Sequence, residues 1–147
     1  MKGNLSWPIF WSLIGVFVAT ASVFFIPALR EWLMGFVFLI TSGTLLFVLG
    51  VVLVFLTIKE KVSGILKKFL ILTGASSAGF FVSFILHNAI YGVFIHFLGA
   101  DFWDRIGIGD EPFFFIMAVF VCPVGFIVGT VGRIVLAIKE ARMVRTP

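Results

Sequence analysis

From Phe69 to Leu98 the chain runs thirty residues without a lysine, arginine, aspartate or glutamate. A helix needs about 20 apolar residues to cross a hydrocarbon core of roughly 30 Å. This run is long enough to do so and continue. It holds both histidines of the chain, His87 and His96, and a small-residue core, Gly74-Ala75-Ser76-Ser77-Ala78-Gly79. The pattern predicts the central packing helix of a small polytopic membrane protein.

The rest of the chain agrees. Of 147 residues, 61% are hydrophobic and 12% charged, against about 45–50% and 25% in soluble domains. A soluble fold of this length has too little interior to hide that apolar surface, and lipid is the natural solvent for the excess. The expected fold class is an all-α integral membrane protein, a four-transmembrane-helix antiparallel bundle forming one domain. The predicted spans are 7–26, 35–58, 69–91 and 113–133. Lys2 before an apolar run, with Ala19-Thr20-Ala21 behind it, has the outline of a signal peptide. The run continues through Val23-Phe24-Phe25-Ile26, however, so it is read as a retained helix.

The connections carry the charge. The segment 59–68 holds Lys59, Lys61, Lys67 and Lys68 against Glu60, with Ser63-Gly64 as the expected turn. The segment 99–112 holds Asp101, Asp104, Asp110 and Glu111 against Arg105. With four spans, Lys2, the lysine segment, Lys139, Arg142 and Arg145 share one side. Arg30 and Arg105 fall on the other, with five of the seven acids. Cytoplasmic segments collect lysine and arginine, so both termini are expected in the cytoplasm, with the cell membrane as host. The net charge of +4 is therefore read as orientation bias and attraction for anionic lipid head groups at Lys59, Lys61, Lys67 and Lys68. No nucleic acid partner is expected. Trp7 and Trp11 fit one head-group belt, and Trp32 the opposite one.

Small residues mark helix contacts. Close van der Waals approach, which small side chains permit, drives helix pairing in lipid. Gly74, Gly79 and Ser83 on the third span are candidates. On the fourth, Ala118, Cys122, Gly125, Gly129 and Gly132 form a seam, with GxxxG at Gly125 and Gly129. These residues fit packing inside one bundle or an interface with a partner or second copy. Pro123 should kink that span by removing a backbone donor.

Chemistry-bearing residues are few. His87 is the candidate cofactor ligand. It lies about 13 Å of helical rise from His96, too far for the pair to clamp one haem within a chain. His96, Asp101 and Asp104 are candidate metal ligands, although their spacing matches no ligand pattern. Ser77, His87, Asn88 and Arg133 could line a polar path, with Arg133 near the cytoplasmic edge. A single cysteine, Cys122, excludes a disulfide within the chain. No span holds an acid, which disfavours proton-coupled transport. No Ser-His-Asp, HExxH, P-loop or GxGxxG arrangement is present, so neither catalysis nor a cofactor is expected. The expected role is a non-catalytic anchor or accessory subunit of a membrane complex. The alternative is a homo-oligomeric channel or transporter for a small neutral or anionic solute.

Overall fold

The computed structural model describes residues 5–33 and 36–143. Lys2, Gly35 and Arg145, and the side chains of Arg30 and Trp32, lie outside the described residues. The described chain is helical without a strand: α1 Ser6–Phe25, α2 Pro27–Leu33, α3 Phe36–Lys59, α4 Gly64–Leu98, α5 Phe102–Arg105, α6 Pro112–Ile116 and α7 Cys122–Met143. A π-helical turn, Met117–Val121, joins α6 to α7 without a break. Four helices are long and apolar enough to cross a membrane: α1, α3, α4 and the continuous α6–α7 rod. They form the expected four-helix bundle.

Each boundary has a local cause. Ile26 is extended, with φ −100° and ψ 109°, because the ring of Pro27 excludes the helical region for the residue before it. The segment after α1 is thus a corner followed by the short helix α2. Helix α3 ends in a Schellman motif: Val62 N–H donates to the Thr57 carbonyl at 3.2 Å and Lys61 N–H to that of Ile58 at 3.1 Å. Lys61 takes the left-handed position, φ +53°, that glycine usually fills. The turn therefore sits at Lys61, before the expected Ser63-Gly64.

Helix α4 starts at Gly64 and ends at Leu98, beyond the expected 69–91 at both ends. The lysine segment shrinks accordingly, and Lys67 and Lys68 lie on the first turns of α4. The last span likewise runs past 133 to Met143. Bilayer thickness limits the apolar length and not the helix, and Lys, Leu, Glu, Ala and Arg continue a helix readily into water. The π turn lies just before Pro123. Cys122 N–H donates to the Met117 carbonyl, five residues back, and this widened turn accommodates the proline ring.

Helix α4 is the hub, packed against α3 on one side and α7 on the other, with α1 against α3. Phe17 of α1 stacks on Phe126 of α7 at 4.2 Å between ring centroids. The buried core is Phe10, Leu13, Leu46, Leu53, Leu70 and Phe126.

Candidate functional site

The small residues of α4 and α7 lie between helices of this chain. A Cβ on Gly74 would stand 2.7 Å from the Gly50 carbonyl oxygen and 2.8 Å from Val54. A Cβ on Gly129 would stand 2.8 Å from the Thr73 backbone nitrogen and 2.9 Å from the Phe69 carbonyl oxygen, while one on Gly125 would meet Ser76 and one on Gly132 the Phe69 ring. A Cβ on Gly79 would stand 3.2 Å from the Cys122 sulfur, and the Ser83 side chain lies near the same sulfur. Ala118, within the π turn, and Cys122, directly after it, are both buried. The structure thus brings together Gly79, Ser83 and Cys122. It places Gly74 against α3 instead, on the other flank of α4.

The four residues of the expected polar path face different ways. Ser77 is buried and donates to the Leu46 carbonyl of α3 at 2.9 Å. Asn88 is exposed and donates back to the Phe84 carbonyl of its own helix at 2.8 Å. His87 faces the start of α6 and Arg133 faces Trp7. No single track joins them, because successive residues on a helix point about 100° apart.

The densest polar group is at the acidic end. His87 Nδ1 lies 3.1 Å from the Glu111 carbonyl oxygen and 3.4 Å from its Oε2. Nε2 lies 3.6 Å from Asp110 Oδ2. Glu111 is buried and caps α6: Oε1 accepts from the Phe113 N–H and Oε2 from that of Phe114, both at 2.9 Å. The carboxylate thus sits on the positive end of the α6 dipole with a histidine beside it, a mutually favourable arrangement. Both imidazole nitrogens already face protein oxygens. Axial ligation needs a free one, so this geometry makes His87 a tie between α4 and α6. The sequence places Glu111 among the acids of the 99–112 connection, with no role of its own. Its position directly before Pro112, at a helix start, is the capping signal that could have found it.

Behind this tie the segment 99–111 folds onto the end of α4. Trp103 is buried: its ring stacks on Tyr91 at 5.9 Å and its indole N–H donates to the Tyr91 carbonyl at 3.4 Å. Arg105 Nη2 donates to the Leu98 carbonyl at 2.6 Å, satisfying an orphan group at the helix end. Asp101 pairs with Arg105 at 3.4 Å, and His96 is exposed beside Phe97. The candidate metal ligands His96, Asp101 and Asp104 are not gathered, since Arg105 draws Asp101 toward the helix end. Among the described residues no group of three His, Cys, Asp or Glu side chains is placed to hold a metal ion.

At the basic end, Glu60 reaches across from the α3–α4 turn to α1. It accepts from Ser6 N–H at 3.1 Å and from Ser6 Oγ–H at 2.6 Å, capping a helix whose own N-cap, Leu5, cannot. The Arg133 guanidinium lies under the Trp7 ring, 4.6 Å from its centroid. Lys59, Lys61, Lys67 and Lys68 are all exposed.

No protein-family model, curated protein or solved structure matches this chain.

Proposed function

We propose that the protein is a non-catalytic anchor or accessory subunit of a membrane complex, held in the cell membrane with its basic end and both termini in the cytoplasm. One observation carries the reading: six hydroxyls of the spans bond to backbone carbonyls of the bundle. Thr20, Ser22, Ser42, Thr57 and Thr73 donate to their own helices, and Ser77 to α3. Hydroxyls bonded in this way have their donors committed to packing.

The partner surface in this proposal is the outer end of α4. Thirty-five residues make α4, about 52 Å of helix, whereas the twenty-four of α3 make about 36 Å. The excess carries Val93, Phe97 and Leu98, exposed at 52%, 76% and 48%, beside the exposed acids Asp101 and Asp104. An apolar helix flanked by acids fits a partner span flanked by basic residues.

Native mass spectrometry after mild-detergent extraction from the protein's own membrane tests this. The expected species is a fixed-stoichiometry complex with a different membrane protein, lost in the double variant Val93→Ser/Phe97→Ser. A lone monomer would overturn the reading. A homo-oligomer would favour the channel, whose support is the outward exposure of Thr41, Thr44 and Asn88. Liposome flux reduced by Thr44→Val and Asn88→Leu would then establish it.

A further inference from the structure

Three buried polar side-chain atoms lack a hydrogen-bond partner among the described residues: Nε and Nη1 of Arg133 and Oγ1 of Thr130. They belong to two residues one turn apart on α7, so they share a face of that helix. That face looks toward α1, where Trp7 lies over the guanidinium.

The Trp7 ring satisfies only part of what Arg133 demands. An aromatic face attracts the cation, but the guanidinium N–H bonds lie in its own plane and point past the ring. None of the ion pairs among the described residues involves Arg133. Glu140, seven residues on, adds a favourable charge interaction without a hydrogen bond. A guanidinium stays charged, so its unfilled donors cannot be relieved by losing a proton. The group that complements them is an acceptor-only anion, and the Thr130 hydroxyl can donate to the same oxygens.

Depth narrows the choice. Arg133 stands 21 residues after Pro112, about 31 Å of helix, close to the ~30 Å hydrocarbon thickness. Trp7 and Trp11, exposed at 40% and 45%, belong to an aromatic belt at that depth. Lys59, Lys67 and Lys68 enrich the same end in anions. A phosphate oxyanion has the charge, the acceptor count and the location, and arginine engages phosphate through two parallel hydrogen bonds.

We propose that Arg133 and Thr130, with Trp7 as a movable cover, form a binding site for a phosphate oxyanion at the basic membrane boundary. The anion is presented either by an anionic phospholipid or by solution.

The test uses the full chain in micelles of a phosphate-free maltoside detergent, titrated with phosphatidylglycerol or, separately, inorganic phosphate, and read by native mass spectrometry. Wild type is expected to retain one phosphatidylglycerol molecule, and Arg133→Gln to weaken that retention about tenfold, the loss of a charged bidentate contact. Lys67→Gln/Lys68→Gln should keep the tight lipid, because those side chains only raise the local concentration. If inorganic phosphate binds and displaces the lipid, the site is filled from solution. If it does not, the lipid is the source. Equal retention by wild type and Arg133→Gln at matched helicity would overturn the proposal, as would binding of neither probe. Should Arg133→Gln fail to fold, Arg133→Lys and Thr130→Val take its place, and unchanged affinity in both is the overturning result.

Discussion

The Ser77 hydroxyl donates to the Leu46 carbonyl oxygen at 2.9 Å, crossing from α4 to α3 at the level where Gly50 and Gly74 meet. The bond exists because the glycines let the two backbones approach. Interhelical hydrogen bonds in membranes contribute about 0.6 kcal/mol on average and at most about 1.7. Ser77→Ala should therefore destabilise the bundle by roughly 0.5–1.5 kcal/mol, read as a lower midpoint of unfolding in mixed micelles. An unchanged midpoint would mean that the hydroxyl adds nothing to the contact.

The glycines separate into two groups by what a methyl would meet. On Gly50 it would stand 2.5 Å from the Gly74 carbonyl oxygen and 3.0 Å from the Ala78 nitrogen, and on Gly129 it would strike the Thr73 nitrogen and Phe69 carbonyl of α4. Backbone cannot step aside, so Gly50→Ala and Gly129→Ala should each cost about 1–3 kcal/mol. A methyl on Gly15 or Gly92 would meet no other side chain or helix within 4 Å. Gly15→Ala and Gly92→Ala should leave the fold intact and add up to about 1 kcal/mol from helix propensity. The same unfolding assay checks all four. Equal effects across the two groups would contradict the packing described for α3, α4 and α7.

The spans and the seams were legible in the sequence because each needs only local information. Apolar length reports a crossing, and glycines at helical spacing report a close approach. What the glycines approach was not legible. Gly129 and Thr73 lie far apart in sequence and meet only once α4 and α7 are laid antiparallel. Helix α4 exceeds the expected 69–91 at both ends because hydrocarbon thickness limits the apolar length and not the helix, and Gly64–Lys68 and Gly92–Leu98 continue it. His87 was legible as a notable residue, yet its partner Glu111 lies across a connection whose path depends on Trp103 stacking on Tyr91. The reach of Trp7 to Arg133 likewise joins the first and last spans, beyond any local pattern.

Lys61 holds a left-handed backbone, φ +53°, at the end of α3. That conformation crowds the Cβ of an L-residue at a cost of about 1–2 kcal/mol. Glycine removes the crowding but has more unfolded-state freedom to lose, an offset of roughly 0.5–1 kcal/mol. Lys61→Gly should therefore be neutral to stabilising by about 1 kcal/mol, and Lys61→Val destabilising, since β-branching worsens the crowding. The pair compared by thermal unfolding gives the sign.

Glu111 performs two tasks with one carboxylate, capping Phe113 and Phe114 and facing His87. Removing an N-cap side chain costs about 0.5–2 kcal/mol. Glu111→Ala should also free the two amide protons, so hydrogen exchange at Phe113 and Phe114 should accelerate while α3 stays protected. His87→Ala leaves the cap in place and should disturb exchange at these amides far less. Because the two side chains touch, their effects should not add: a double-mutant cycle should show a coupling of about 0.5 kcal/mol or more. Additive effects would mean that His87 and Glu111 are neighbours without an energetic tie, and that the Trp103–Tyr91 stack and the Arg105–Leu98 hydrogen bond fasten the acidic segment to α4 without them.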